Sequence, residues 1–346
     1  MIRKTKIAVL MGGKSLEHEI SLLSGKNIVK SLDGKKYEVL PVVISKTGEQ
    51  WKLTSKDALL SMPNPIPLKG TKKEIVLSQK KEIGGVRSFS DKKVEVVFVA
   101  MHGQHGEDGT IQGMLEVGGI PYTGSGVAAS AIGMDKIAFR KIMKAEGFPI
   151  PRFQIFEKGG RIAAVYKKMG KLPYFVKPSS QGSSLGASVV RTKKDLTRSI
   201  TKALKYGKKV LIDEYIKGTE VTCAVLGNNK PYALPVVEII PLKGEFFDYE
   251  SKYTESGSEE IVPARIPKQL SKVIQQISLK VYKAVGCRGF ARVDMIIRNN
   301  KYPVVLEINT IPGLTPMSLT PKAAKAAGIS YPRLLDKIIE YAKEIH

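Results

Sequence analysis

The segment that decides the fold is GFARVDMIIRNNKYPVVLEIN, which covers residues 289–309. Two runs of β-branched and apolar residues flank its centre, RNNK (298–301), and each run has the length of a β-strand. Asparagine tolerates positive φ, so the two central asparagines predict a tight hairpin turn. If the first and last residues of this turn pair with each other, Arg292 lies opposite Glu307.

The predicted hairpin carries its polar side chains on one face. In the same register Asp294 lies opposite Val305 and diagonal to Glu307, roughly 7–8 Å away and within side-chain reach of a shared ion. Because side chains alternate along a strand, Arg292, Asp294, Glu307 and Asn309 project from one face. The other face carries the apolar residues Ala291, Val293, Met295, Leu306 and Ile308.

Three of these polar residues would offer oxygen ligands, with no thiol or imidazole among them. Asp294, Glu307 and Asn309 form a set that is typical of a hard divalent cation, which predicts Mg²⁺ or Mn²⁺. The alternative is a surface sheet whose carboxylates pair with Arg292. Charged residues within otherwise apolar strands make a poor solvated face, and a sheet covered on both sides needs a cation there, so we favour the metal site.

Outward from this segment, the first third of the chain alternates strand-like and helix-like runs. The runs 7–11, 37–44 and 94–101 are apolar and of strand length, which predicts a mostly parallel α/β sheet. The pattern breaks at PYTGSG (121–126), where we place a domain boundary. Runs that follow residue 218 favour antiparallel pairing, so the carboxy-terminal part is expected to be α+β.

Two lysines and a serine-rich loop form a candidate phosphate site. The patterns G-x-x-x-x-G-K-[ST] and G-x-G-x-x-G both fail in this sequence. Lys136 lies instead near the start of a helix predicted over about 134–146, and Lys177 ends a predicted strand. The loop SSQGSSLG (179–186) follows, and its small residues let the backbone close on phosphate oxygens. A plain linker is less favoured, because this short loop lies between strands.

Composition and charge exclude several classes of protein. The chain has 346 residues, 42% hydrophobic and 25% charged, which is typical of a globular protein with two or three domains. It has no apolar run of about 18 residues, no signal-peptide core and only two distant cysteines, so we expect a cytoplasmic protein without a membrane partner. The net charge of +24 permits nucleic-acid binding, but the scattered lysines favour a solvated surface and no nucleic-acid partner.

Nine stretches, which follow one order along nearly the whole chain, resemble the D-alanine–D-alanine ligases of the ATP-grasp superfamily. Their joint occurrence is far more specific than any stretch alone. They are GGKSLEHEISLLSG (12–25), HGQHGEDGTIQGMLE (102–116), PYTGSG (121–126), MDK (134–136), VKPSSQGSSLG (176–186), DEYIKGTEVT (213–222), FFDYESKY (246–253), GFARVDM (289–295) and EINTIPGLTPMSL (307–319).

The resemblance implies an ATP-grasp fold preceded by a Rossmann-like domain with a parallel sheet. The implied domains are an amino-terminal α/β domain at 1–124, a central lid domain at 125–213 and a carboxy-terminal catalytic domain at 214–346. The implied reaction joins two D-alanines for peptidoglycan: ATP phosphorylates the first carboxylate, the second amine attacks the acyl phosphate, and phosphate leaves. The resemblance also suggests a homodimer.

The same resemblance assigns nucleotide and metal ligands. Asp294, Glu307 and Asn309 match the family's ligands for two Mg²⁺ or Mn²⁺ ions, with Glu307 shared between them. Asp213 departs from the family pattern, which has a longer glutamate at this position. The residues that match positions around ATP are Lys136, Lys177 and Lys252 at the phosphates, Asp213, Glu214 and Ile216 beside adenine, and Glu220 at the ribose.

The resemblance also assigns the two alanine sites. Glu17 matches the acid that binds the ammonium of the first alanine, and Arg292 with the Gly313 N–H matches the oxyanion site. Ser318 matches the residue that takes the carboxylate of the second alanine.

Three further residues concern the lids and the choice of substrate. Ser183 and Tyr253 match a pair that links the two lids and, with Glu17, orients the first substrate. His102 lies near the first substrate in the family, but taken alone it is better interpreted as a core histidine. The alternative functions are a D-alanine–D-lactate ligase, which usually lacks the tyrosine at position 253, or another ATP-grasp carboxylate–amine ligase.

Overall fold

A computed structural model of the protein describes residues 3–62, 74–76, 93–182, 185–242 and 257–344, with 74–76 described as backbone only. Three β-sheets organise these residues, and each sheet is built from its own part of the chain. In the described residues no helix is both long and apolar enough to cross a bilayer.

The first sheet is the predicted parallel sheet. Its strands and associated helices are β1 Thr5–Gly12, α1 His18–Ser31, β2 Tyr37–Ile44, β3 Gln50–Leu53, α2 Lys56–Ser61, β4 Glu74–Val76, β5 Val96–Val99 and α3 Thr110–Val117. The strand order is β4-β3-β2-β1-β5, with β1 parallel to both of its neighbours and with β3 and β4 antiparallel at one edge. The apolar run from Ile7 to Met11 is completely buried, as expected for a central strand of such a sheet.

The second sheet has four antiparallel strands in the order β6-β9-β7-β8. The elements from the end of the first sheet to the end of the second are α4 Val127–Met134, α5 Lys136–Ala145, β6 Phe153–Glu157, α6 Ile162–Met169, β7 Tyr174–Pro178, β8 Ser188–Val190, α7 Lys193–Leu204 and β9 Lys209–Glu214. Helices α6 and α7 bury their apolar stripes against this sheet, through residues such as Val165, Leu196 and Ile200.

The third sheet has six strands in the order β13-β12-β10-β14-β15, with β11 paired to β10. Its elements and those that follow are β10 Gly218–Leu226, β11 Tyr232–Ala233, β12 Val237–Pro241, β13 Ser258–Ile261, α8 Lys268–Val285, β14 Phe290–Arg298, β15 Tyr302–Asn309, α9 Leu319–Ala326 and α10 Tyr331–Lys343. The pairings are antiparallel, which confirms the expectation for the carboxy-terminal part.

The central hairpin of the third sheet has the predicted turn but a different register. The Lys301 N–H donates to the Arg298 carbonyl oxygen at 3.1 Å, while the ladder pairs Arg298 with Tyr302. A second shift brings Asp294 opposite Glu307 instead of Val305. The predicted pairing was therefore wrong by one residue near the turn and by two at Asp294. Because side chains alternate with period two, the polar residues at and beyond Asp294 still share a face.

The helix predicted over about 134–146 is confirmed as α5, Lys136–Ala145, and a second helix, α4, ends directly before it at Met134. The break lies at Asp135, whose carboxylate caps α5 by accepting from the backbone N–H groups of Ile137 and Ala138. Both helices pack into the core of the third sheet through residues such as Phe139 and Met143, although they precede the second sheet in the chain. The domain bounds 1–124, 125–213 and 214–346 stay a prediction.

Candidate active site

A cavity of about 480 Å³ lies between the second and third sheets. One part of its wall is apolar, with Phe175, Leu306 and Ile240, and another part is charged. Leu306, which the expected alternation placed in the core, lines the cavity because the register shifts beside it. The sequence-predicted residues that line this cavity are Lys136, Lys177, Asp213, Glu214, Ile216, Glu220, Asp294 and Glu307.

The Asp294 carboxylate in the cavity wall accepts hydrogen bonds from three side chains. Arg292 donates to both of its oxygens, from Nε and Nη2, each at 2.8 Å. The Asn309 amide nitrogen donates at 2.9 Å, and the Thr222 hydroxyl donates at 2.5 Å from the neighbouring strand β10. The ion pair with Arg292 is the one that the surface-sheet alternative predicts, but this sheet face borders a cavity and Asp294 is only 8% exposed.

The donor set of Asp294, Glu307 and Asn309 fits a divalent metal ion. Asp294 and Glu307 are directly opposed on the cavity side of β14 and β15, and Asn309 has its amide oxygen left as a ligand atom because its nitrogen faces Asp294. In the part of the chain that the structure describes, no cluster of three or more His, Cys, Asp or Glu side chains could hold a metal. A site here would use two carboxylates and an amide, all hard oxygen donors.

Two lysines extend into the cavity near these carboxylates. The Lys136 ammonium donates to the Gln181 carbonyl oxygen at 2.8 Å and lies 3.6 Å from Glu307 Oε2. The Lys177 ammonium is buried 3.3 Å from Asp213 Oδ2. Burial lowers the pKa of Lys177, while Asp213 opposes that shift. The cavity therefore places two cationic groups beside the start of the serine-rich loop.

Glu17 lies where the first sheet meets this loop. It is buried immediately before α1, and the Ser15 hydroxyl accepts its backbone N–H at 3.1 Å. A Cβ atom added at Gly182 would lie 2.5 Å from Glu17 Oε2, and one added at Gly103 would lie 2.8 Å from the same atom. Both backbones therefore pack directly on the carboxylate, and a side chain at either position would displace Glu17; Gly103 also has φ of 74°, which favours glycine.

Gly313 and Ser318 are neighbours in the loop that leads into α9. A Cβ atom at Gly313 would lie 3.0 Å from Ser318 Oγ, so the glycine permits this close approach. The Ser318 hydroxyl accepts the Thr315 N–H at 3.1 Å and shares a hydrogen bond with the Thr315 hydroxyl at 2.8 Å. Ser318 thus stands at the N-terminus of α9, where backbone N–H groups can meet a carboxylate.

His102 is a buried and fully engaged histidine. Its Nε2 lies 3.0 Å from the Ser24 hydroxyl on α1, and its Nδ1 lies 3.2 Å from the Ile311 carbonyl oxygen. Burial lowers the pKa of His102, which favours the neutral ring. The residue therefore joins α1 to the loop that carries Gly313, as a core histidine would.

Sequence reasoning missed a second acid in this region. Glu107 Oε1 accepts the Gly103 N–H at 2.8 Å, which fixes the glycine that packs on Glu17. Burial, followed by the negative charge of Glu17, raises the pKa of Glu107 to about 8. Its signal was a carboxyl group inside the glycine-rich stretch HGQHGEDG (102–109).

The raised pKa of Glu107 makes stability depend on pH. The folded carboxyl keeps its proton where the unfolded one has lost it, so the folded state binds more protons between about pH 4.5 and 8. The free energy of unfolding should therefore fall as the pH rises through this range. We expect a shallower fall for Glu107→Gln, measured by urea unfolding at several pH values, and equal slopes would contradict the assignment.

Ser183, Lys252 and Tyr253 lie outside the described residues. Their assigned contacts therefore stay predictions from the resemblance.

Two family models match the chain in the order in which the sheets are built. The model described as the D-ala D-ala ligase N-terminus matches residues 6–125, and the one described as the D-ala D-ala ligase C-terminus matches residues 142–340. Together they cover most of the sequence.

Similar proteins of known name extend over the full chain. A D-alanine--D-alanine ligase of Desulforudis audaxviator is 42% identical, covering 99% of this chain and all of that protein. The solved VanG D-Ala:D-Ser ligase of Enterococcus faecalis has a TM-score of 0.85 at 35% identity and covers 98% of this chain and 100% of that one. A Bacillus anthracis D-alanine--D-alanine ligase, solved with ATP, has a TM-score of 0.76 at 32% identity, with 99% and 98% covered. The family models, the sequence identity and the shared fold show that the chain belongs to the D-alanine–D-alanine ligase family.

Proposed function

We propose that this protein joins two D-alanines to D-alanyl-D-alanine at the expense of ATP, by way of a D-alanyl phosphate, for peptidoglycan synthesis. The family supplies the overall reaction. One observation carries the assignment of the site: Lys136 and Lys177 share a cavity with Asp294 and Glu307, which is the charge pattern that a metal-bound triphosphate needs.

The first step makes a poor electrophile reactive. A carboxylate resists attack by an amine, whereas its acyl phosphate carries a good leaving group. Lys136 and Lys177 would hold the phosphate oxygens, and a divalent metal ion on Asp294, Glu307 and Asn309 would neutralise their charge. The serine-rich loop would contribute backbone N–H groups to the same oxygens.

The second step needs two amino acids held in line. Glu17 would bind the ammonium of the first D-alanine, and the N-terminus of α9 with Ser318 would bind the carboxylate of the second. The amine of the second D-alanine then attacks the acyl carbon. Arg292 and the Gly313 N–H would stabilise the developing oxyanion, and phosphate departs.

The nucleotide base would occupy the apolar part of the cavity. The Ile216 side chain is buried at its wall, and Asp213 and Glu214 lie just before it. Glu220, on β10, would accept hydrogen bonds from the ribose hydroxyls. The short Asp213 carboxylate has one oxygen without a partner among the described residues, and it would accept from the adenine amino group.

Several finer features belong to the proposal and rest on the resemblance alone. They are the use of two ions, Mg²⁺ or Mn²⁺, the homodimer, the cytoplasmic location, and the roles of Ser183, Lys252 and Tyr253.

The second substrate is the open choice within the family. Tyr253 favours D-alanine over D-lactate, and the 42% identical relative is named for D-alanine. The structural similarity to a D-Ala:D-Ser ligase makes D-serine a second candidate.

Phosphate release measured with ATP and single amino acids tests the proposal. We expect release with D-alanine, at least about 100-fold less with L-alanine, and no large gain when D-lactate or D-serine is added to D-alanine. Mass spectrometry of the products identifies the dipeptide. Equal release without any amino acid would contradict the proposal, and a dominant D-alanyl-D-serine product would replace D-alanine at the second site.

A further inference from the structure

Helix α5 carries a guanidinium that is completely buried between two sheets. Arg140 Nη1 donates to the Val305 carbonyl oxygen of β15 at 2.6 Å, and Nη2 donates to Asp213 Oδ2 of β9 at 3.0 Å. The Arg140 side chain is 0% exposed and that of Asp213 is 4% exposed. One side chain therefore ties a strand of the second sheet to a strand of the third sheet.

Asp213, which accepts this hydrogen bond, directly precedes the segment 214–217 beside the proposed nucleotide site. Asp213 is the penultimate residue of β9, and residues 214–217 then cross to β10 along the cavity wall. Asp213 Oδ2 also lies 3.3 Å from the Lys177 ammonium. Asp213 therefore adjoins the crossover and also pairs with Lys177.

The first residue of α5 reaches the metal side of the same cavity. Lys136 stands one helical turn before Arg140, and its ammonium lies 3.6 Å from Glu307 Oε2. Glu307 lies two residues beyond Val305 on β15, where Arg140 is anchored. Arg140 therefore bonds both to the strand that carries Glu307 and to the residue at the start of the crossover.

A planar guanidinium suits this position, since it donates to two acceptors on different strands at once. A lysine side chain is shorter than an arginine side chain, and its ammonium group lacks the planar pair of N–H donors. The Asp213 side chain is short, and the long Arg140 side chain spans the remaining distance to it.

We propose that Arg140 is a positioning residue for the nucleotide, which acts through Asp213 to set the crossover 214–217 against the metal-ligand strand β15. The inference rests on the proposed function and adds to it a residue outside the cavity lining. Arg140 itself does not line the cavity.

The test compares Arg140→Lys, the double variant Arg140→Lys with Asp213→Glu, and the control Arg333→Lys. Arg333 makes an exposed pair with Glu340 at 2.9 Å on α10. We expect Arg140→Lys to raise the KM for ATP and the Kd for Mg-ADP about tenfold, with kcat changed less than about threefold. In the double variant the Kd for Mg-ADP should return most of the way to the wild-type value, because the longer glutamate brings the carboxylate back within reach of the shorter lysine. The control should match the wild type.

Three outcomes would overturn the inference. One is a lower melting temperature of Arg140→Lys with unchanged KM and Kd, which is the result of a purely structural pair. Another is a double variant whose losses simply add. If Arg140→Lys does not fold, Arg140→Gln is titrated with Mg-ADP, where an unchanged Kd overturns the inference and a raised Kd supports it. Calorimetric titration with Mg-ADP needs no turnover, so it separates this inference from a failure of the ligase activity.

Discussion

Replacement of Glu307 by glutamine should lower ATP-dependent phosphate release at least about 1,000-fold while the fold survives. Glu307 supplies one of two directly opposed carboxylates on the cavity face of β14 and β15, and it lies 3.6 Å from the Lys136 ammonium. Glutamine keeps the shape but removes the charge that a divalent ion and the phosphate-side lysine both require. The measurement is single-turnover phosphate release with saturating D-alanine.

The matched control for this change is Glu340→Gln. Glu340 is half exposed on α10 and pairs with Arg333, so loss of its charge should leave turnover unchanged. Circular dichroism and the melting temperature check the fold of both variants. Near-normal phosphate release by Glu307→Gln would remove the metal assignment.

Arg292→Lys should lower kcat about 100-fold, with a smaller change in the KM for ATP. The guanidinium donates to Asp294 from two nitrogens. Arg292 also lies opposite Asn309, the last residue of β15 before the loop that carries Gly313. A lysine keeps the charge, but it cannot hold Asp294 and direct a further N–H toward a developing oxyanion. Steady-state kinetics with ATP as the varied substrate, at saturating D-alanine, separates kcat from the KM for ATP.

Arg333→Lys is again the control, because it changes an exposed arginine far from the cavity. A kcat of Arg292→Lys within about threefold of the wild type would contradict the oxyanion role. In that case Arg292 would serve only to hold Asp294 in place.

The hairpin at 289–309 shows how much of a structure the local sequence pattern can predict. Alternation and the two asparagines predict the strands, the turn and the shared polar face, and Asn299 and Asn300 do adopt φ of 52° and 54°. The pairing itself was wrong, because irregularities at Lys301 and Leu306 each add one residue. Such single-residue shifts leave no mark in the local alternation of polar and apolar residues.

Contacts between distant parts of the chain were the least predictable. Arg140 occupies the buried stripe of an amphipathic helix, where a charged residue was the visible signal, but its partners lie 73 and 165 residues away. Glu107 likewise acquires its environment from Glu17, on another element. The sequence motifs indicated which residues belong to the site, whereas long-range packing decides which of them touch.

Anomalous diffraction from a crystal grown with Mn²⁺ and a non-hydrolysable ATP analogue tests the central claim most directly. We predict manganese within roughly 2.5 Å of carboxylate oxygens from both Asp294 and Glu307, with the triphosphate beside Lys136 and Lys177. Manganese bound away from these two carboxylates, or a nucleotide outside the cavity between the second and third sheets, would contradict it.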